Sequence, residues 1–228
     1  MTLFYDNHDN PRLLSKVNPD PAFRDVLAKL LAMLQLTLKG TPFIYQGQEI
    51  GMINADFRSI DQFKDVESLS LYRETAERIG HEAAMRKLRA GSRDLARTPV
   101  QWSRGTYAGF SASRPWIDLG EEDSPYNAED ELREPSSILH FYKRLIAIRK
   151  SDDAMIYGDF IPASGRNKHV FCYFRERGES RYYVELNLSA RMRKRPIDAE
   201  AGWRLLCSNY GTGHAALRPY EANLYAVK

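Results

Sequence analysis

The sequence predicts an α/β segment followed by an antiparallel β domain, and three observations carry that prediction. A short apolar run, Leu3-Phe4-Tyr5, ends in the polar stretch Asp6-Asn7-His8-Asp9-Asn10-Pro11-Arg12. A helical pattern follows and leads to a second apolar run, Phe43-Ile44-Tyr45, which again ends in polar residues, Gln46-Gly47-Gln48-Glu49. Strand, helix and strand with polar groups at the strand carboxyl ends is the order in which an α/β barrel presents its chemistry. After Lys150 the chain changes to short alternating segments separated by turn residues, the pattern of antiparallel strands.

Each element has its own reason. Over residues 21–38 apolar side chains recur at Phe23, Val26, Leu27, Leu30, Leu31, Leu34 and Leu38, which places them on one helical face, and Gly40 stops the helix. Phe43-Ile44-Tyr45 reads as a strand buried on both faces, as strands of parallel sheets are. Residues 50–135 are too long for a simple strand-to-helix loop and contain two charged helical patterns, at residues 66–79 and 81–90. Ser136 then starts a helix with Ile138, Leu139, Phe141, Tyr142, Leu145 and Ile148 on its apolar side; Arg149 and Lys150 sit at its end, where the helix dipole favours cations. Residues 169–174, 182–187 and 224–227 alternate as strands, with Gly165-Arg166-Asn167 and Gly211-Thr212-Gly213 as turns. The expected division is residues 1–151 and residues 152–228, without internal repeats.

Composition narrows the class of partner. The 228 residues carry a net charge of +3 with acidic and basic residues interspersed, so the basic stripe of a nucleic-acid binder is lacking. The one dense basic cluster, Arg191-Met192-Arg193-Lys194-Arg195, reads as a solvated turn. No run of 18 apolar residues occurs, and the amino terminus shows no charged region followed by an apolar one, so no membrane partner is expected and the cytoplasm is the expected location. Cys172 and Cys207 read as buried thiols. Zinc spacing, calcium-loop patterns and phosphate-cradling glycine loops are all lacking, so neither metal nor cofactor is expected.

Five segments, taken in order, carry a family resemblance. They are residues 7–12 (Asn-His-Asp-Asn-Pro-Arg), 40–52, 59–74 and 92–102 (Ser-Arg-Asp-Leu-Ala-Arg-Thr-Pro-Val-Gln-Trp), and more loosely 115–126 with the helix over 136–150. The chain resembles the α-amylase superfamily of glycoside hydrolases, in its branch of α-glucosidases and oligo-1,6-glucosidases. The resemblance implies the carboxy-terminal part of a (β/α)8 TIM barrel followed by an antiparallel β-sandwich. It also implies retaining hydrolysis of terminal α-glucosidic bonds in short oligosaccharides.

Carried over residue by residue, it makes Asp9 the catalytic carboxylate that stabilises the transition state, and His8 a hydrogen-bonding partner of the same sugar. Arg12 matches a position on the aglycone side of the cleft, and Arg97 one that grips the far edge of the terminal glucose. These residue types suit the roles, since a carboxylate accepts two hydroxyls and a guanidinium presents a rigid fork of donors. The plainer readings are that Asn7, Asp9 and Asn10 cap a turn before Pro11, and that Arg97 is a surface charge at a helix end. Trp102, Tyr107, Phe110 and Trp116 suit a small core within the insertion, with stacking on sugar rings as the alternative.

Retaining hydrolysis needs a nucleophile and an acid/base about 5 to 5.5 Å apart, and in the family both precede the Asn-His-Asp run. Gly91-Ser92-Arg93-Asp94 only faintly resembles a nucleophile motif, and Glu49 matches a position that supports the loop after its strand. A complete barrel takes about 250 residues, so the expectation is the carboxy-terminal part of a larger enzyme. Its partners would be an oligosaccharide substrate and the missing amino-terminal barrel portion, and the isolated chain would be inactive. Isomerisation of sucrose or maltose, glucosyl transfer, and a non-catalytic scaffold are the competing functions.

Overall fold

The computed structural model describes residues 1–163, 165, 167–197, 202–211 and 215–227. Arg166, Thr212 and Gly213, expected in turns, lie outside the described residues. In chain order the elements are β1 (Thr2–Leu3), α1 (Leu13–Val17), α2 (Arg24–Thr37), β2 (Thr41–Pro42), α3 (Val66–Ile79), α4 (His81–Gly91), α5 (Ala128–Arg133), α6 (Ile138–Ser151), α7 (Asp153–Ile156), β3 (Asp159–Pro162), β4 (Val170–Arg177), β5 (Ser180–Asn187), β6 (Arg193–Lys194), β7 (Arg204–Ser208), β8 (Ala216–Leu217) and β9 (Ala222–Val227). They gather into two compact units.

The first unit comprises Met1–Leu3, Asp20–Phe43 and Ser136–Lys228. Its central helix is α2, where Leu27, Leu30, Met33 and Leu36 recur at every third position and are at most 1% exposed. Ile138, Phe141, Tyr142 and Leu145 of α6 are buried in the same unit. Each such side chain contributes about 1.5–3 kcal/mol by leaving water. The Ser137 hydroxyl caps α6 by accepting from the His140 amide at 3.2 Å, a local reason for the helix to start there.

The end of α2 is held by two arginines. A helix leaves its last carbonyl groups without partners inside the helix. Arg149 Nη1 donates to the carbonyls of Leu36 (2.7 Å) and Leu38 (3.0 Å), and its Nη2 to that of Gly40. Arg175 on β4 donates to the carbonyls of Thr37 (2.6 Å), Met155 (3.0 Å) and Gly158 (3.0 Å). Beside them the Thr37 hydroxyl and the Tyr173 phenol share a 2.6 Å hydrogen bond. Burial, and then the neighbouring Arg149 charge, hold the Arg175 guanidinium below its ordinary value.

The strands that flank α2 pair in parallel, Thr2 opposite Thr41 and Leu3 opposite Pro42. Gln35 ties their ends together, its amide nitrogen donating to the carbonyls of Leu3 (3.0 Å) and Phe43 (2.7 Å). Gly40 turns the chain between helix and strand at φ 146°, and a Cβ there would lie 2.7 Å from the Met1 carbonyl oxygen. The strand expected over Phe43-Ile44-Tyr45 is shorter than its apolar run: β2 stops at Pro42, and Phe43 and Ile44 are 55% and 37% exposed. Among the described residues β1 alone pairs with β2, and no third strand covers the run.

A five-stranded antiparallel sheet of order β3-β4-β5-β9-β7 and a two-stranded sheet of β6 and β8 complete the unit. Alternation works as the sequence implies, with Val170, Cys172, Tyr183, Leu217 and Tyr225 forming one core cluster. Both cysteines are buried and neither forms a disulfide with the other. The reading of residues 191–195 as a solvated turn fails at Arg195, whose side chain is 8% exposed and pairs with the fully buried Glu185 and Glu221. Two carboxylates inside a sheet need a cation, and Arg195 is the member of the cluster that reaches them.

The second unit comprises Phe4–Pro19 and Ile44–Pro135. Its core is Phe57, Phe63, Met85, Leu88, Leu95 and Ile117. The expected aromatic core of the insertion is not what forms, since Trp102, Phe110 and Trp116 are 54%, 47% and 62% exposed. Asp65 caps α3 by accepting from the Ser68 amide at 3.2 Å. Gly80, at φ 81° and ψ 158°, breaks α3 from α4. Among the described residues no helix is long and apolar enough to cross a membrane.

Replacing Arg175 by Met leaves three buried carbonyls without donors. The expected loss is about 3–5 kcal/mol, read as a lower urea midpoint, and a midpoint equal to that of the parent chain would show that α2 does not depend on this clamp.

Candidate functional site

The turn after β1 is built by two side chains, Asn7 and Asp6, without using the Asp9 carboxylate. Asn7 Oδ1 accepts from the Asp9 amide at 2.8 Å and from the Asn10 side chain at 3.1 Å, which is the turn-capping role expected of such residues. Asp6 Oδ1 accepts from the Leu13 amide at 2.7 Å, at the start of α1. Burial pushes the Asp6 carboxyl up, with the Leu13 amide and the charges of Arg12 and Lys16 opposing it. The side chains of His8 and Asp9 remain 72% and 50% exposed.

Arg97 converges on this turn. Its Nε donates to the His8 carbonyl at 2.7 Å, its Nη2 lies 3.1 Å from Asp9 Oδ1, and its Nη1 lies 3.3 Å from Asp65 Oδ1. Arg93 runs alongside, 3.5 Å from Asp9 Oδ1, 3.0 Å from Asp65 Oδ1 and 2.9 Å from Glu67. His8 Nε2 is 3.3 Å from the other oxygen of Asp9. Three of the four sequence-predicted residues, His8, Asp9 and Arg97, therefore meet. A cavity of about 200 Å³ opens beside them, lined by Asp9, Asp65, Glu67, Ser68, Lys87 and Arg93 among others.

Arg12 is placed differently. It is fully buried, and its guanidinium donates to the carbonyls of Gln46 (3.1 Å) and Ala96 (3.3 Å), while its amide donates to Asn54 Oδ1 at 2.7 Å. The Tyr45 ring lies under it at 5.3 Å, and the Tyr45 hydroxyl donates to the same Ala96 carbonyl. Arg12 thus joins the segment after β2 to the turn that carries Arg97.

The carboxylates set aside in the sequence have structural work. Asp94 is fully buried and its Oδ2 accepts from the amides of Lys64 (2.7 Å) and Asp65 (2.8 Å). Glu49 sits in a short turn, its carboxyl pushed up by burial against the opposing effects of the Glu49 and Gly47 amides and the Arg12 charge. The residues that sequence reasoning missed are Arg93 and Asp65. The Asp65-Val66-Glu67-Ser68 start of α3 was legible as a cap, but nothing in it announced two arginines. Burial pushes the Asp65 carboxyl up, and the Arg93 hydrogen bond, the Ser68 amide and the charges of Arg93 and Arg97 outweigh it, so the group lies below its ordinary 3.8. Among the described residues no group of three or more His, Cys, Asp or Glu side chains is placed to hold a metal ion.

Residues 1–158, which include the whole of this site, match the family described as alpha amylase, catalytic domain. The chain belongs to the α-amylase family. This α-amylase-family chain is 36% identical over 237 residues to an oligo-1,6-glucosidase of Halalkalibacterium halodurans, all of the chain matching 42% of that relative. A solved trehalose-6-phosphate hydrolase of Bacillus licheniformis superposes over 99% of the chain with a TM-score of 0.91 at 35% identity, and 42% of that structure is matched. An isomaltulose synthase of Erwinia rhapontici, solved with its natural substrate sucrose, superposes over 99% of the chain at a TM-score of 0.88 and 33% identity, again matching 42% of that structure. The chain spans less than half the length of the relatives it matches.

Two outcomes are expected from this geometry. Asp94→Ala removes a fully buried acceptor from two part-buried amides and should cost about 1–3 kcal/mol, seen in denaturant unfolding followed by tryptophan emission; a change below about 0.5 kcal/mol, the range of ordinary surface substitutions, would refute the clamp. The second concerns acid. Because Asp65 is held below its ordinary value, the stability it contributes is present above pH 3.8 and is lost as pH falls through the lower folded value. Asp65→Asn should therefore be less stable than the parent at neutral pH, with the difference closing in acid, as thermal midpoints across a pH series would record.

Proposed function

We propose that the whole protein is a retaining α-glucosidase of the oligo-1,6-glucosidase type, hydrolysing terminal α-glucosidic bonds of short oligosaccharides. In this reading residues 1–151 supply the last strand-helix units of a catalytic (β/α)8 TIM barrel, and residues 152–228 an antiparallel β-sandwich. The observation that carries the reading is the meeting of an exposed carboxylate, Asp9, with the Arg97 guanidinium and His8 in a chain of this family. Asp9 stabilises the oxocarbenium-like transition state. His8 and Arg97 hold hydroxyls of the terminal glucose. Arg12 serves the aglycone side from behind, through the carbonyls of Gln46 and Ala96 that it holds.

The nucleophile and the acid/base belong, on this proposal, to the amino-terminal part of the barrel, which is the partner of this chain alongside the oligosaccharide. No cofactor enters the chemistry. The cytoplasm is the proposed location, a reading supported by two buried thiols that are not joined in a disulfide. Isomerisation of a disaccharide is kept as a second reading, because the similarity to the isomaltulose synthase is nearly as high as that to the hydrolases.

The test is an assay with p-nitrophenyl α-glucoside and isomaltose. The chain by itself should turn over neither, since a stabilising carboxylate without an attacking group or a proton donor cannot drive the reaction. Fused behind the preceding barrel segment of the Halalkalibacterium halodurans relative it should hydrolyse both, and Asp9→Asn in the fusion should lower kcat roughly hundredfold or more. A fusion whose activity ignores Asp9→Asn would remove Asp9 from the mechanism. Sucrose converted to an isomer rather than to monosaccharides would favour the second reading.

A further inference from the structure

We propose that Asp65 is a positioning residue for the candidate site: a shielded carboxylate that holds Arg97 and Arg93 so that Asp9 receives a single arm of each guanidinium. The inference rests on the glucosidase reading for its purpose and on the present geometry for its substance.

Asp65 Oδ1 takes Arg97 Nη1 at 3.3 Å and Arg93 Nη2 at 3.0 Å, whereas Asp9 Oδ1 takes Arg97 Nη2 at 3.1 Å and Arg93 Nη1 at 3.5 Å. The two carboxylates thus divide the same pair of arginines. They are unequal in access, the Asp65 side chain being 8% exposed and that of Asp9 50%. A shielded ion pair is screened less by solvent than an exposed one, so the arginines are anchored at Asp65 and lean toward Asp9.

The division has a chemical purpose. An arginine free to face Asp9 alone would take both carboxylate oxygens in a fork-to-fork pair. With one arm of each guanidinium committed to Asp65, both contacts fall on Asp9 Oδ1, and among the described residues Oδ2 pairs with the exposed His8 ring alone. Asp9 is then neutralised enough to stay in place and open enough to accept sugar hydroxyls. Asp65 is itself anchored twice, through its Oδ2 as the cap of α3 and through its amide, which donates to the buried Asp94 at 2.8 Å.

Asp65→Asn separates the roles, because Asn caps a helix about as well as Asp but lacks the charge. The experiment is phenylglyoxal modification of the full chain, with each arginine followed by peptide mass spectrometry and helix content by circular dichroism. Asp65→Asn should raise the modification rate of Arg93 and Arg97 several-fold, while the fully buried Arg12 and Arg175 stay protected and helix content is unchanged. Unchanged rates at Arg93 and Arg97 would overturn the proposal. Should Asp65→Asn expose Arg12 and Arg175 as well, Asp9→Asn decides: an anchor at Asp65 leaves Arg93 and Arg97 as protected as in the parent, and a rise there would make Asp9 the anchor instead. No substrate enters these measurements, so Asp65 can fail as anchor while the fusion assay still supports the glucosidase reading, and the reverse.

Discussion

The carbonyl groups at the end of α2 are the constraint on which the first unit depends. A helix of 14 residues cannot bond its own last carbonyls, and they point into a region that also holds β4 and α6. Backbone acceptors left bare there would cost more than the apolar burial of a residue or two returns. Arg149 and Arg175 meet the need from two different elements, and in doing so they set where α6 and β4 lie against α2. Positive charge is also what the negative end of a helix dipole favours, which helps two like charges to be tolerated at close quarters, with the Asp159 carboxylate adding a smaller favourable effect on Arg175.

The second unit uses buried charge in the same way, and the contrast with its exposed charge is informative. Arg12 and Asp94 are both fully buried, and each is spent on backbone groups of loops distant in sequence. They are structural because nothing can reach them. Asp9, His8, Arg93 and Arg97 lie near the surface, where partners can exchange with water or a hydroxyl at small cost. A site built for a polar, uncharged ligand needs both kinds: rigid loops beneath, and replaceable hydrogen bonds above.

Much of this was legible from residue order. The helical period at Leu27, Leu30 and Leu34 marked α2, the alternation around Val170 and Val184 marked the sheet, and the Asn-His-Asp and Arg-Thr-Pro-Val-Gln-Trp elements marked the turn and Arg97. What was not legible depends on partners distant in the chain. Arg195 looks like any member of a basic cluster until Glu185 and Glu221 are seen behind it. Arg12 carries a sequence match to a ligand-side position, yet its burial follows from Gln46 and Ala96, neither of which offers a charged clue. Phe43 and Ile44 have the composition of a doubly covered strand, but composition does not supply the neighbours that would cover them. Trp102 and Trp116 are similar, since aromatic residues in an insertion have no periodicity to say which way they face.

Gln35 gives the parallel pair its fastening. It sits on α2 and reaches the carbonyls of Leu3 and Phe43, so both strand ends are secured from a helix that lies between them in sequence. Two strands of two residues each have too few hydrogen bonds to offset the loop they must close. The helix bonds its own backbone locally but, at 14 residues, is held chiefly by the packing of Leu27, Leu30, Met33 and Leu36. The parallel pair is therefore fastened through the helix between its strands, and the segment preceding α2 meets the one that follows it by way of a side chain that belongs to neither.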